Sequence, residues 1–322
     1  MDEAGLGSLV ASTLRVSTPL VLASLAGCLS ERAGVIDLGL EGKMLATAFA
    51  AASVGAVSGS LAFALAAALA LGVALSLLHG WACVTGRGDQ VVFGMALSMI
   101  AAGLTVVLGI AWFHQGGQTP PLAESARLPG WFGGVGAQVG TLPGVGRALE
   151  VGLFGHSPLV YLALVAVALV WWLLYRTRFG LRLRAAGENP AMLDAAGVSV
   201  VALRYRALAG NGVLCGLAGS SLVLAQNPSF IPNMTAGRGY MALAALIFGK
   251  WHPAGALAAS LLFGFLDAAA IRLQGQALPL VGPVPVQAIQ ALPYLLTVVL
   301  LAGLVGGARA PAALGRPYPE ER

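Results

Sequence analysis

Apolar runs close to twenty residues long dominate the chain, separated by short stretches that hold most of its charge. An α-helix needs about 20 mostly apolar residues to cross the roughly 30 Å hydrocarbon core of a bilayer. On that measure nine spans are expected, at about 9–29, 35–57, 61–82, 91–113, 157–175, 205–226, 238–250, 254–272 and 284–306. The runs are continuous rather than alternating, which predicts helices and not a barrel. The seventh is short and flanked by glycine. It reads as a broken or re-entrant segment, which must be buried in protein or line a cavity. The predicted fold is therefore all-α: a polytopic helical bundle of about nine spans, forming a single transmembrane domain over residues 1–322.

One stretch breaks the pattern. "ERAGVIDLGLEGKM" places Glu31, Arg32, Asp37, Glu41 and Lys43 between two apolar runs, with glycines at 34, 39 and 42. Residues 44–86 then carry no Asp, Glu, Lys or Arg. Polar groups at membrane depth are costly and usually functional. The stretch reads either as a discontinuous helix whose charges pair internally and whose freed backbone faces a path, or as a solvated cytoplasmic turn. The turn accounts for Glu31 and Arg32 but poorly for Asp37 to Lys43. Asp37 and Glu41 are thus candidate path residues.

Lys and Arg set the orientation. Arg176, Arg178, Arg182, Arg184, Arg204 and Arg206 crowd the 176–206 connection, which is expected in the cytoplasm. Counting spans outwards puts Arg32, Arg87, Lys250, Arg309, Arg316 and Arg322 on the same side. Arg127, Arg147, Arg238 and Arg272 fall outside, with Arg15 near an external N-terminus. Residues 307–322 become a cytoplasmic tail, and 114–156 an irregular external loop rich in Gly and Pro. The start, "MDEAGLGSLV", lacks the basic region of a removable signal peptide.

Within the 176–206 connection a short helix is punctuated clearly. Asn189 is a good N-cap, Pro190 suits the first helical position and Gly197 sits just past the end. Met192, Leu193 and Ala196 are expected to form a small apolar face. Such a helix serves either to dock on a partner or as an amphipathic connection at the membrane surface. An internal repeat is also visible. "SLAGCLSERAGVIDLGLEGKMLATAFA" and "GLAGSSLVLAQNPSFIPNMTAGRGYMALAALIF" both run from L-A-G through a polar bridge to an Ala-rich span. They start in spans of opposite direction, as an inverted repeat with interrupted helices would.

Composition agrees. The chain is 58% hydrophobic and 10% charged, with 44 Gly and a mean hydropathy of +0.84. Soluble domains carry roughly 25% charged residues. Small residues let membrane helices approach closely. The net charge of +5 is not gathered on a soluble face, so no nucleic-acid partner is expected. Cys28, Cys83 and Cys215 lie in apolar segments without metal spacing, and the four His are scattered. There is no G-x-x-x-x-G-K-[ST], H-E-x-x-H or G-x-S-x-G, so no enzyme is visible in this chain. Energy for driven transport must come from another chain or an ion gradient.

Three segments, "ERAGVIDLGLEGKML", "GENPAMLDAAGVSV" and "GRGYMALAALIFGKWHPAGALAASLLFGFLDA", resemble the membrane permeases of bacterial ABC importers of the branched-chain amino acid and simple-sugar class, most closely the nucleoside-type branch. The resemblance runs from about residue 20 to 306. It implies a partner ATPase that binds ATP and Mg²⁺, a second permease subunit and an extracellular binding protein or lipoprotein, all at a bacterial cell (inner) membrane. No cofactor is expected on this chain. It implies that Glu188, Asn189, Pro190, Met192, Leu193, Ala196 and Gly197 couple to the ATPase. Met192 stands where the family often has a small residue, which leaves the docking contact open. In the path, Gln226, Asn227, Phe230, Asn233, Tyr240 and Asp267 are candidates, because aromatic faces stack on a base and amides bond to its edges or to ribose. Alternatively these groups satisfy one another at helix ends. Two rival readings stand beside a nucleoside importer. One is the same class carrying a sugar or branched-chain amino acid. The other is an ion-driven carrier using Asp37, Glu41 and Asp267.

The orientation is testable by labelling. In Ser199→Cys, a membrane-impermeant thiol reagent should modify the new cysteine from the cytoplasmic side only; modification in intact cells would reverse the assignment.

Overall fold

The computed structural model describes residues 3–142, 146–273, 277–278, 282–283, 291, 295 and 309–318. Twelve α-helices are found among them. They are α1 (Glu3–Arg32), α2 (Leu40–Ser58), α3 (Leu61–Gly80), α4 (Gln90–Phe113), α5 (Gly133–Val139), α6 (Gly146–Leu153), α7 (Pro158–Arg176), α8 (Arg178–Glu188), α9 (Pro190–Ala195), α10 (Val200–Ser221), α11 (Arg238–Phe248) and α12 (Pro253–Leu273). Single π-turns extend α3 over Trp81–Thr85 and α10 over Leu222–Gln226. Two strands of two residues, Ala277–Leu278 and Gly282–Pro283, pair antiparallel.

Among the described residues, seven helices are long and apolar enough to cross a membrane: α1, α2, α3, α4, α7, α10 and α12. They coincide with the first to sixth and the eighth expected spans. The expected seventh is α11, whose 11 residues rise about 16 Å, half a span. The expected ninth, 284–306, lies outside the described residues. The molecule is a multi-pass membrane bundle.

Burial sorts the spans. In α2 and α10, 78% of the most apolar window is inside the protein, against 22% for α3 and 28% for α4. The first two form the centre, and the second two present large apolar side chains such as Phe63, Met99, Ile100 and Val107 outwards. Lipid is as apolar as these side chains, so close backbone approach rather than apolar burial must bind the spans together. At the crossing of α3 and α10, a Cβ on Gly72 would meet the carbonyl oxygen of Gly212 and lie 3.1 Å from the Gly216 nitrogen. Helices α1 and α10 are antiparallel: Arg204 bonds the Ala33 carbonyl at one end, and Gln226 bonds the Arg15 carbonyl at the other.

Both halves of the sequence repeat run helix, break, helix. Helix α1 stops at Arg32 and α2 resumes at Leu40; α10 stops after its π-turn and α11 resumes at Arg238. The first break opens with a glycine in the left-handed region. Gly34 has φ 88°, and the amides of Gly34 and Val35 bond back to the carbonyls of Glu31 and Ser30. This closure needs a residue without Cβ at that position. It moves the start of α2 to Leu40, where the apolar pattern alone suggested residue 35.

Two connections differ from expectation. The segment 114–156 holds α5, α6 and a 3₁₀ turn at Glu124–Ala126. Helix α6 forms because it has a neighbour: Ala148 and Val151 press on Gly7, and Val10 presses on Gly152 of α6. The 176–206 connection holds two helices rather than one. Thr177 caps α8 by accepting the Gly180 amide at 3.0 Å. Helix α8 buries Leu183 and Ala186 while its arginines point outwards, apart from the half-buried Arg184. Its arginines marked it for topology and masked its helical pattern.

Gly72→Val should drive α3 and α10 apart, costing about 1–3 kcal/mol by overpacking and lowering the Tm of the detergent-purified protein. Gly103→Ala, where no atom lies within 4 Å of the added Cβ, should leave the Tm unchanged or slightly raised.

Candidate functional site

The first break is held by a buried polar network. Lys43 Nζ donates to Asp37 Oδ2 at 2.6 Å and to Asn211 Oδ1 at 3.2 Å. Asp37 and Lys43 are both fully buried. Ser76 donates to Asn211 Oδ1 at 2.9 Å, and the Asn211 amide donates to the Ala26 carbonyl at 3.0 Å. One side chain of α10 thus ties α1, α2 and α3 together. The loop backbone is satisfied from several sides. Asp37 Oδ1 accepts the Gly39 amide at 3.2 Å, Gln90 Oε1 accepts the Ile36 amide at 2.7 Å, and His79 Nε2 lies 3.1 Å from the Ile36 carbonyl. Asp37 and Lys43 pair internally, and the solvated-turn reading does not describe them.

The two breaks meet through Glu41. Its Oε1 accepts the Gly237 amide at 2.8 Å, and its Oε2 the Gly239 amide at 2.6 Å. Amides at a helix N-terminus carry partial positive charge and lack intrahelical partners, so a carboxylate there is favourable. Gly239 packs directly on the Glu41 backbone, where a Cβ would not fit. The half-length α11 is therefore capped by a residue of α2.

The C-terminal end of α1 grips the turn after α11. Trp251 Nε1 donates to Glu31 Oε2 at 2.5 Å, and Arg32 Nε donates to the Trp251 carbonyl at 2.9 Å. Lys250 and Trp251 both sit at φ 54°, an uncommon conformation held by these two partners.

The remaining path candidates divide. Gln226 lines a cavity of about 390 Å³ at the opposite end of α1, with Arg15, Thr18, Phe154, His156 and Ser221. Burial holds the His156 imidazole below its ordinary value, a hydrogen bond to the Gly152 carbonyl opposes this, and the Arg15 charge adds to the lowering. Asn227 Nδ2 donates to the Leu222 carbonyl at 3.0 Å, closing the end of α10. Phe230 is fully buried, edge-on to Phe49 at 5.2 Å between ring centroids. Asn233, at φ 57°, and Tyr240 are exposed on the second break and α11. Asp267 is partly buried on α12, within electrostatic reach of Arg238. The structure brings Asp37 to Lys43 and Glu41 to α11, but it does not gather the candidates around one point.

In the 176–206 connection the punctuation of α9 matches the sequence reading. Asn189 Oδ1 accepts the Met192 amide at 3.1 Å, Pro190 begins the helix and Gly197 follows it at φ 76°. Its apolar residues do not share one face, however. Met192 is 65% exposed, whereas Leu193 is 7% exposed and packs on Ala186, Val200 and Leu203. Successive helical residues point about 100° apart, so the two cannot both face outwards. Ala191, Met192, Ala195 and Ala196 form the exposed side. Glu188 Oε2 accepts the Ala312 amide at 3.3 Å.

Asn211, His79, Trp251 and Arg204 join these networks without being among the candidate residues. Asn211 had a signal, as a lone amide in an apolar span. Arg204 was counted only for topology.

Among the described residues, seven apolar spans around two joined helix breaks define a polytopic membrane protein with interrupted helices of the kind transporters use. The family described as "Branched-chain amino acid transport system / permease component" matches residues 9–305, and the chain belongs to it. It is 36% identical to the guanosine ABC transporter permease protein NupQ of Bacillus subtilis, over 97% of each chain. It is 35% identical to the putative glucose ABC transporter permease protein TsgC13 of Haloferax volcanii, over 97% of this chain and 98% of the other. It is also 35% identical to the nucleoside ABC transporter permease protein NupC of Lactococcus lactis, over 96% of each. No solved structure matches.

Removing one partner of a buried ion pair strands the other charge, at about 3–5 kcal/mol. Asp37→Ala and Lys43→Ala should each lower the yield of folded protein sharply, measured by fluorescence-detected size exclusion. The double variant should recover part of the loss. Equal yields for all three would place this pair in solvent.

Proposed function

We propose that this chain is the permease subunit of an ATP-binding-cassette importer for nucleosides. The observation that carries the reading is similarity over nearly the whole chain to permeases named for guanosine and for nucleosides. In this reading the ATPase is a separate chain that binds ATP and Mg²⁺. A second permease completes the channel, and an extracellular binding protein or lipoprotein delivers cargo to a bacterial cell membrane. The α8–α9 connection and the C-terminal tail are cytoplasmic.

Cargo enters from the side of the Gln226 cavity. Its volume of about 390 Å³ falls in the range of small-molecule sites, and Arg15, Gln226 and Ser221 offer hydrogen bonds beside the Phe154 ring. Asn233, Tyr240 and Asp267, outside that cavity, contact cargo in transit. The exposed side of α9, centred on Met192, supports docking of the ATPase, while Leu193 roots the helix in this chain. The engagement of Asp37 with Lys43 and of Glu41 with two amides speaks against the ion-driven reading. The permease of Haloferax volcanii favours a second reading, in which the cargo is a sugar. Uptake of labelled nucleosides by the reconstituted complex, with glucose as competitor, separates the two. Nucleoside uptake indifferent to glucose is expected, and glucose uptake alone would overturn the nucleoside assignment.

Docking has its own test. Met192→Glu should insert and fold normally, lose the co-purifying ATPase and reduce uptake at least tenfold. Wild-type ATPase recovery and uptake would move the docking surface elsewhere.

A further inference from the structure

The tail segment 309–318 returns to the inner face and touches both α9 and the first helix break. The Ala313 amide donates to the Gly187 carbonyl at 2.8 Å, and the Gly315 amide to the Gly34 carbonyl at 3.2 Å. Glu188 holds the Ala312 amide, and Tyr318 Oη donates to Asp194 Oδ2 on α9 at 3.1 Å. Arg204, 1% exposed, clasps the arrangement from α10: its Nε donates to the Ala33 carbonyl at 3.2 Å, and its Nη1 to the Arg316 carbonyl at 3.3 Å. The fit is tight. Gly315 is at φ 75°, where a Cβ would stand 2.8 Å from Ile36 Cδ1. Gly187 rests on the backbone of Arg32 and Gly34. Three segments therefore cross at one place: 32–36, 186–188 and 312–316.

That crossing lies one residue from Asp37, whose partner Lys43 is two residues from the Glu41 cap of α11. Hydrogen bonds, with short stretches of backbone between them, link α9 through the tail to both breaks. Coupling between distant sites travels through such packed networks when an element in them has two arrangements. The two helix breaks, joined by the Glu41 caps and by the packing of Gly239 on Glu41, are the candidate for that element. Leu193 itself packs on α8 and α10, in a cluster against which Tyr318 of the tail also packs, and the tail continues from there to Gly34.

We infer that residues 309–318 form a strap, anchored by Arg204 and Tyr318, that positions the α1–α2 break relative to α9 and transmits movement of the docked ATPase to it. This rests on the reading that α9 is the docking element. Arg204 and Tyr318 are positioning residues. They touch neither nucleotide nor cargo, so removing them should spare ATPase docking while wasting hydrolysis.

The test uses the whole reconstituted complex and reads cargo transported per ATP hydrolysed. Tyr318→Phe removes one hydroxyl and Arg204→Gln two bonds to the crossing; Arg204→Lys restores the charge. Both Tyr318→Phe and Arg204→Gln should keep the ATPase bound and hydrolysing, with transport per ATP reduced about fivefold or more. Arg204→Lys should recover part of the ratio. Should Arg204→Gln fail to fold, Tyr318→Phe alone decides. An unchanged ratio in these variants, while Met192→Glu loses its ATPase, overturns the strap and leaves the docking reading intact. A Met192→Glu complex that keeps its ATPase and its uptake overturns the docking reading, and the strap's part in coupling with it.

Discussion

Backbone groups freed by breaking a helix inside an apolar slab must find partners within the protein. In this chain Glu41 answers that requirement for one break from the other. Its two oxygens take the amides that begin α11. Glu41 can do so because α2 itself begins nearby, at the end of the first break, with Asp37 and Lys43 neutralising each other beneath it. Without the pairing, the loop 33–39 would carry an isolated charge in the core. Without Glu41, α11 would expose its positive end to an apolar interior. The two interruptions are therefore one structural unit rather than two local defects.

The rest of the bundle arranges itself around that unit. Asn211 spans the distance between α1, α2 and α3, so α10 sits at the centre and is mostly buried. Glycines at the α3–α10 crossing permit the short interhelical distance this bridge requires. The peripheral α3 and α4 turn large apolar side chains outwards. In the 176–206 connection the same economy recurs. Leu193 fastens α9 inwards and leaves Met192 outwards, so one short helix has both a root and an exposed side. The proposed docking of a separate ATPase needs both, since a contact that is not rooted cannot transmit force.

The spans were legible in the sequence because hydropathy over twenty residues is a local property. So was the α9 helix, whose Asn189, Pro190 and Gly197 signals act within four residues of themselves. The repeat was legible too, as two glycine-bearing bridges in matching positions. Helix α8 was not, because its arginines read as topology. The division between Met192 and Leu193 was not either, since apolar character alone does not say which neighbour will cover a side chain. Among the candidate residues, Gln226 and Phe230 looked alike as polar or aromatic groups near a bridge. One lines a cavity and the other is fully buried in packing.

Sequence alone determined the class of fold, the number and rough position of most spans, the interrupted helices and the family resemblance, because each rests on patterns repeated along the chain. Tertiary structure alone decided that Lys43 answers Asp37 and Asn211, that Glu41 caps a helix almost two hundred residues away, and that the tail lies against Gly34, Gly187 and α9. The physical reason is that a hydrogen bond across the fold leaves no period in the chain. Each partner appears only as a single polar residue, and geometry alone pairs it.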